Sequence, residues 1–329
     1  MSRRGELLRL MADGEMHSGE ELAAALSVSR AAVWKQLQQL GDWGLALEAR
    51  PGGGYRLPAP LDLLDVSQIR AQLPQASAER LRNLEVQEEL ESTSNRLLAV
   101  DDLPPGRFDA CLAEFQSAGR GRRGRRWVAP FASGLCLSVN WSTRDAPATF
   151  GALSLAAGVA VLRALRRLGF ADLLLKWTND IVHRDGKLGG ILIDLRGEAT
   201  GPAYFVVGVG INLHLPQATR DNLRAEGVDA IDLASLGVPP GRSVAASTLI
   251  NELALALLEF GARGMTAFAE EWRSADALAG RPVRVIQGNQ SFEGLACGVD
   301  TDGALVVEVE GARRRILSGE VSVRQVRSL

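Results

Sequence analysis

The sequence predicts an α+β protein built from three consecutive parts, and three observations support that class. Residues 1–61 combine short amphipathic helices with a glycine-rich hairpin. Residues 65–276 mix helical periods (149–168, 243–260, 265–275) with strand-like apolar runs such as 134–141 and 203–213. Residues 280–329 contain short alternating runs broken by turn residues, which predict a small all-β barrel. A proline-containing linker near Pro60 separates the first two parts.

The bulk composition is that of an ordinary globular protein. The chain has 329 residues, 46% of them hydrophobic, and a net charge of −2, so it can bury a large core and has no overall basic field. Cys111, Cys136 and Cys297 are odd in number and far apart, which indicates reduced thiols in the cytoplasm rather than disulfides or a zinc site. The N-terminus lacks a signal-like apolar segment, and no apolar run reaches membrane-spanning length, so we expect no membrane partner.

The first sixty residues predict three short helices with one buried face each. The buried faces of the first two are predicted to be Leu7, Leu10 and Met11, and Leu22, Ala25 and Leu26. A third helix begins after Ser29, a good N-cap, and its predicted buried stripe is Val33, Leu37 and Leu40.

The opposite face of the third helix is suited to nucleic acid. A short helix pair whose second member presents arginine, lysine and glutamine side chains is typical of a winged helix-turn-helix, in which the following hairpin is the wing. The candidate DNA-binding residues are Arg30, Ala31, Trp34, Lys35 and Gln38 on the helix and Arg56 in the wing. A solvated three-helix interaction module is the alternative. Residues 1–60 hold seven Lys/Arg and seven Asp/Glu, so one copy should bind DNA weakly and two copies would be needed.

The most informative segment is a run of glycine and arginine between two strand-like segments. Five arginines fall within residues 120–126, interleaved with Gly121 and Gly124 and followed by Trp127. Glycine lets the backbone approach a ligand closely, and arginine offers paired donors to phosphate or carboxylate. The run is too short for a disordered RNA-binding tail and lacks the lysine of a nucleotide-binding P-loop. It predicts an anion-binding loop.

Two lysines further along the chain border apolar strands. Lys176 opens the segment KWTND (176–180), and Lys187 lies in GKLGGIL (186–192). Either lysine alone would more simply be a solvated strand end. Together with the arginine loop they indicate a site for phosphate and carboxylate groups.

Five motifs in this order and spacing resemble the biotin protein ligase family. They are TSN (93–95), QSAGRGRRG (116–124), KWTND, GKLGGIL and GVGIN (208–212). The similarity extends over nearly the whole chain and includes the parts found in bifunctional members. It implies a winged helix-turn-helix at 1–61, a central mixed-sheet catalytic domain of the biotin/lipoate ligase type at 65–276, and an SH3-like β-barrel at 280–329.

The resemblance also implies an activity. Biotin and ATP, with Mg²⁺, would form biotinyl-5′-AMP and pyrophosphate, and a lysine of the biotin carboxyl carrier protein, a subunit of acetyl-CoA carboxylase, would then take the biotin. The adenylate would promote a homodimer that binds operator DNA and represses transcription.

Site roles carry over from the matching motifs. Arg122 and Lys187 are the implied catalytic residues. The residues implied to bind biotin and the adenylate are Thr93, Ser94, Asn95, Gln116, Gly119, Arg120, Gly121, Arg122, Trp127 and Lys187. Trp127 is either a lid over the ligand or a core residue. Lys176, Asn179 and Asp180 are secondary candidates, with Asp180 also a possible Mg²⁺ ligand. The family more often has proline where Thr178 stands.

Two other functions fit some of these features. A lipoate ligase would share the fold and reaction, but the arginine density favours the biotin branch. A non-catalytic biotin-sensing repressor would not require the pair Arg122 and Lys187.

Overall fold

The computed structural model describes residues 2–143, 150–197 and 203–323. The N-terminal part contains helices α1 (Arg3–Met11), α2 (Gly19–Ala25) and α3 (Arg30–Gln38) and strands β1 (Glu48–Arg50) and β2 (Gly54–Arg56). The central helices are α4 (Val66–Gln72), α5 (Gln75–Ala78), α6 (Thr93–Leu98), α7 (Phe150–Arg167), α8 (Gln217–Ala225), α9 (Arg242–Arg263) and α10 (Ala269–Ala275). The central strands are β3 (Leu81–Leu90), β4 (Phe108–Gln116), β5 (Gly134–Thr143), β6 (Leu174–Lys176), β7 (Asp180–His183), β8 (Gly186–Gly197) and β9 (Ala203–Asn212). The C-terminal strands are β10 (Pro282–Gln287), β11 (Gln290–Val299), β12 (Leu305–Val309), β13 (Ala312–Ile316) and β14 (Glu320–Val323).

The N-terminal part is the predicted helix-turn-helix with a β1–β2 wing. Serine side chains cap all three helices, and Ser18 and Glu21 form a capping box at α2. The predicted stripe on α3 is correct, but two residues assigned to the other buried faces are wrong. Leu10 is 37% exposed, and Ala25 lies in solvent. Leu8 and Ala23 are buried instead, because each helix is rotated so that these positions face the core shared with Leu37 and Trp43.

The central sheet has seven strands in the order β3-β4-β5-β9-β8-β7-β6. Only the β3–β4 pair is parallel, so the sheet is mixed as predicted. Helices α7 and α9 pack on one face, where residues such as Leu137, Val139 and Val207 form the main core. The helical segment Arg242–Ala267 has the length and hydropathy of a membrane span, but 61% of its apolar 18-residue stretch is buried inside the protein.

The C-terminal part is a five-stranded antiparallel sheet in the order β13-β12-β11-β10-β14. Its residues Val283 and Val285 belong to the same buried cluster as the central core. The Trp177 indole also donates to the Gly303 carbonyl over 3.0 Å. This sheet is therefore packed onto the central domain beside KWTND.

The N-terminal module docks through Trp43. Its ring stacks on Phe131 with centroids 4.7 Å apart, and its indole nitrogen donates to Glu89 over 3.3 Å. The backbone nitrogen of Phe131 donates to the Trp43 carbonyl over 2.8 Å. Phe131 lies just after the arginine loop, so the module borders the segment that leaves that loop.

A buried ion pair holds the base of the arginine loop. The Arg242 guanidinium donates to the Glu114 carboxylate on β4, before the loop. Its Nη2 and Nε also donate to the Gly134 carbonyl on β5, after the loop, over 2.8 and 3.1 Å. It also donates to the Asp62 carbonyl in the linker over 2.8 Å. Glu114 accepts from the Leu64 nitrogen over 2.7 Å. One guanidinium thus connects α9, the linker and both ends of the loop.

We expect Arg242→Met to lower the free energy of unfolding by about 3–5 kcal/mol, because it leaves the buried Glu114 carboxylate without its cation. Guanidinium chloride unfolding followed by tryptophan fluorescence measures this loss. The control is Arg263→Met on the same helix, where a 65% exposed side chain pairs with Glu259 and the loss should stay below about 1 kcal/mol. Equal losses in the two variants would contradict the anchoring role.

Candidate functional site

A cavity of about 790 Å³ lies on the face of the central sheet opposite α7 and α9. Its walls come from α6, the ends of β4 and β7, the arginine loop, strands β5, β8 and β9, and the segment after α8. Residues of β14 close one side. Elements far apart in sequence therefore enclose one space.

Glycines on β9 make room for this cavity. A Cβ on Gly208 would lie 2.7 Å from the Ser94 hydroxyl, and a Cβ on Gly210 would overlap the Trp127 ring, with Nε1 at 2.8 Å. A side chain at Gly208 would displace the Ser94 hydroxyl, and one at Gly210 would displace the Trp127 ring. This is the physical reason for the spacing in GVGIN.

Helix α6 presents hydroxyl groups to the cavity. The Ser92 side chain caps the helix, and the hydroxyls of Thr93 and Ser94 lie 2.7 and 3.0 Å from that of Ser138 on β5. Gln116 at the end of β4 accepts from the Thr93 nitrogen over 2.8 Å. Because these groups are buried and linked, they form a fixed polar surface suited to a polar ring.

The arginine loop is held by acceptors on three neighbouring segments. Arg120 pairs with Asp194 on β8 over 2.9 Å and donates to Asn95 on α6, also over 2.9 Å. Arg123 and Arg125 both pair with Glu320 on β14. These partners offset the mutual repulsion of the guanidinium groups.

Arg122 is the most buried arginine of the loop. It donates to the Thr178 hydroxyl and to Asn179, the latter over 3.3 Å. Burial lowers the pKa of its guanidinium and the charge of Arg123 lowers it further, whereas Asp180 opposes the shift. Arginine remains charged at neutral pH, so Arg122 is a partly desolvated cation facing the cavity. Thr178 supplies a hydroxyl that the more usual proline could not.

Lys187 faces Asp180 across strands β7 and β8. Its ammonium lies 2.6 Å from the carboxylate, and its backbone nitrogen donates to the Asp229 carbonyl over 2.7 Å. Lys176 lines the same cavity and is half-buried. The two lysines and Arg122 therefore meet in one cationic region, although they come from separate motifs.

Cys136 on β5 lines the cavity floor near Trp127. Burial raises the pKa of its thiol to about 11, so the sulfur is neutral and acts there as a small apolar surface. Trp127 itself lies against Gly210 in the cavity wall, and its backbone nitrogen donates to Gly119 over 3.0 Å.

Most of the predicted ligand-binding residues line this one cavity. They are Thr93, Ser94, Gln116, Arg120, Gly121, Arg122, Trp127, Lys176, Asn179, Asp180 and Lys187. Asn95 and Gly119 lie outside the lining: Asn95 contacts Arg120, and Gly119 is buried beneath Trp127. Ser138, Asp194 and Glu320 were not predicted from the sequence as site residues. For Ser138 there was one available signal, namely that a polar residue interrupts the apolar strand GLCLSVNW.

The predicted DNA-binding residues are brought together on one surface. Arg30, Ala31, Trp34, Lys35 and Gln38 are all exposed on α3. The Trp34 ring packs on Tyr55 of the wing with centroids 5.8 Å apart. Arg56 pairs with Glu48 across the hairpin over 2.7 Å, which partly neutralises the wing.

The described residues contain no cluster of three or more histidine, cysteine or acidic side chains that could hold a metal ion. The three cysteines are free, as predicted.

A helix-turn-helix joined to a mixed sheet with a cationic, hydroxyl-lined cavity defines a ligand-binding protein that also carries a module of the DNA-binding type. The biotin/lipoate A/B protein ligase family matches residues 89–212, an HTH domain matches 3–56, and the biotin protein ligase C-terminal domain matches 279–324. The bifunctional ligase/repressor BirA of Salmonella typhimurium is 39% identical over 97% of this chain and 96% of its own length. The Escherichia coli protein of that name has the same identity and coverage.

Two further relatives extend the comparison. The biotin–[acetyl-CoA-carboxylase] ligase of Mycobacterium tuberculosis is 34% identical over 78% of this chain and 95% of its own. The structure of biotin protein ligase from Aquifex aeolicus in complex with biotin and ATP aligns with a TM-score of 0.60 and 25% identity, covering 74% of this chain and 99% of that one. This chain belongs to the biotin protein ligase family.

We expect Gly210→Ala to weaken biotin binding by about tenfold or more, because the added methyl group displaces Trp127 and overpacking costs about 1–3 kcal/mol. Isothermal titration with biotin measures the dissociation constant. Gly261→Ala on α9 is the matched control, since nothing lies within 4 Å of its added carbon, and its affinity should be unchanged. Equal affinities in both variants would refute the close-approach argument.

Proposed function

We propose that this chain is an ATP-dependent biotin protein ligase that activates biotin as biotinyl-5′-AMP and transfers it to a carrier-protein lysine. The observation that carries the proposal is the convergence of Arg122 and Lys187 on one cavity. Thr93, Ser94 and Gln116 line the same cavity. A polar ring with a carboxylate tail fits such a cavity, because hydroxyl and amide groups can bind the ring while cations bind the tail.

In the first step, a carboxylate oxygen of biotin attacks the α-phosphorus of ATP, and pyrophosphate leaves. Negative charge then concentrates at the mixed anhydride. Lys187 would exchange its Asp180 partner for the biotin carboxylate and the adjoining phosphate. Arg122, already partly desolvated, would stabilise the phosphate oxygens with less further loss of hydration than an exposed arginine.

In the second step, the neutral amine of the acceptor lysine attacks the acyl carbon, AMP leaves, and the amine loses a proton. Until then the anhydride must be kept from water. The arginine loop, with Arg120 and Gly121 beside Arg122, would cover the adenylate. The acceptor is the biotin carboxyl carrier protein of acetyl-CoA carboxylase, a substrate class that the name of the mycobacterial relative supports.

Magnesium would enter with ATP rather than occupy a protein cage. Mg²⁺ typically takes one or two carboxylates, phosphate oxygens and water. Asp180, with Asn179 beside it, supplies one carboxylate and one amide oxygen at the cavity, which fits an ion that arrives on a triphosphate.

The repressor role rests on α3 and on the edge of the central sheet. Residues 192–197 of β8 extend beyond the pairing with β7, which ends at Gly190, and within the described residues their outer edge has no strand partner. Asp194 in this stretch binds Arg120. An adenylate that ordered the loop would therefore stabilise an edge at which a second copy can pair. A homodimer in the cytoplasm would then place two α3 helices on operator DNA.

Mass spectrometry of a carrier domain incubated with the chain, biotin and MgATP should show one biotinylated lysine, and lipoate in place of biotin should give no product. Arg122→Gly should release the adenylate and label many lysines, since the cation that holds it is gone. Arg123→Gly is the control, because Arg123 already has a φ of 57° that glycine accepts, and it pairs with Glu320 rather than Thr178. Its single-lysine selectivity should persist. Absence of any biotinylation by the unaltered chain would refute the ligase assignment.

Operator DNA taken from biotin-synthesis promoters should bind more tightly when biotin and ATP are both present. Lys35→Ala should weaken this binding and reduce the dependence of log K on log salt by about one. Arg273→Ala on α10, away from α3, should change neither quantity. If biotin and ATP leave the affinity for DNA unaltered, the repressor half of the proposal is wrong.

A further inference from the structure

The C-terminal end of α6 is bound by two side chains from neighbouring strands. Arg196 on β8 donates through its two terminal nitrogens to the carbonyls of Leu98 and Val100, each over 2.8 Å. The Tyr204 hydroxyl on β9 donates to the Leu97 carbonyl over 2.6 Å. The sheet therefore supplies donors to three carbonyls in and just after the last turn of α6, where a helix leaves carbonyls without their i+4 partners; the Leu97 carbonyl also accepts from the Val100 nitrogen over 3.1 Å.

These two side chains are themselves held in place. The Arg196 guanidinium lies over the Tyr204 ring, 4.4 Å from its centroid, and pairs with Asp101 over 3.2 Å. The Tyr204 hydroxyl accepts from Asn140 on β5 over 2.9 Å, and Asn140 also donates to the buried Asp109. Burial raises the pKa of Tyr204, so its hydroxyl stays protonated and available as a donor at neutral pH.

Helix α6 needs such support because it is only six residues long. A helix of this length has no stability of its own in water, and its position depends on the groups at its ends. At its N-terminal end the Ser92 side chain caps it, and Gln116 binds Thr93. At its C-terminal end the positive guanidinium also complements the helix dipole.

The two ends have different consequences for the cavity. Thr93 and Ser94 lie in the first turn, and the carbonyls held by Arg196 and Tyr204 lie about one turn further on. If the second end were free, α6 could pivot about Ser92, and the two hydroxyls would lose their alignment with Ser138. A misplacement of about 1 Å in a binding group is enough to reduce its contribution strongly.

We propose that Arg196 and Tyr204 are positioning residues for biotin recognition: they fix the tilt of α6 and thereby the hydroxyls of Thr93 and Ser94. The inference rests on the proposed binding of the biotin ring at α6. Neither side chain lines the cavity, so both act through the helix. The same strand that positions α6 through Arg196 holds the arginine loop through Asp194.

The test separates biotin binding from the rest of the reaction. Arg196→Met and Tyr204→Phe are assayed for carrier biotinylation with varied biotin and varied ATP. The KM for biotin should rise by about tenfold, because hydrogen bonds to the substrate ring are misaligned, whereas the KM for ATP and kcat should change less than about twofold. Arg196→Lys keeps the positive charge at the helix end but offers one compact ammonium group in place of the forked guanidinium. It should therefore give an intermediate KM for biotin.

Arg163→Met provides a matched control for lost stability. Arg163 also lies over an aromatic ring, Phe268 at 5.2 Å, and pairs with Glu259 and Glu271, but on α7 at the opposite face of the sheet. It should lower the thermal unfolding midpoint and leave the KM for biotin unaltered.

Gln116→Leu tests the placement of biotin at α6 separately from the positioning role of Arg196 and Tyr204. An unchanged KM for biotin in this variant would overturn the placement of biotin at α6. The positioning role alone would be overturned by a different combination of results. In that case Gln116→Leu raises the KM for biotin, whereas Arg196→Met and Tyr204→Phe change only the unfolding midpoint or change all kinetic parameters equally. If Arg196→Met does not fold, Arg196→Lys and Tyr204→Phe decide the matter by the same criteria.

Discussion

The buried contact between Arg242 and Glu114 is the constraint on which the site depends. It joins the last residues of β4 to the first residue of β5, and between these points the chain forms the whole arginine loop. A loop containing five arginines would otherwise be driven apart by its own charge. Because the base is held by one desolvated guanidinium and the tip by Glu320, the loop stays over the cavity.

Three of the site's cations have partners within the protein before any substrate binds. Arg120 is paired with Asp194, Arg122 with neutral oxygens, and Lys187 with Asp180. Substrate phosphates would replace these acceptors rather than bind cations that lack partners. The site without substrate therefore does not carry a large unfavourable electrostatic energy from unpaired cations. Binding is then an exchange of partners, in which a polyanion replaces separate carboxylates and hydroxyls.

The same contacts connect the site to both ends of the chain. Glu320 brings the C-terminal sheet to the tip of the arginine loop, and the Trp43–Phe131 stack brings the helix-turn-helix to the segment that leaves it. Asp194 connects the loop to the stretch of β8 whose outer edge has no strand partner among the described residues. A change in loop conformation would therefore alter contacts at both the helix-turn-helix module and the edge of β8.

The sequence by itself determined the α+β class, the helix-turn-helix, the long strands and the motifs that supply Arg122, Lys187 and the glycines of β9. Such features are local: they depend on periodicity, capping serines and residue types that suit one chemistry. Side-chain orientation was only partly predictable, since Leu10 and Ala25 fit a helical stripe as well as Leu8 and Ala23 do. The tertiary structure alone decided the Arg242–Glu114 anchor, the Asp194 partner of Arg120 and the Arg196–Tyr204 support of α6. Those contacts join residues on separate elements, often far apart in the chain, and pairing at such distances leaves no local pattern because it depends on how the sheet and its helices pack.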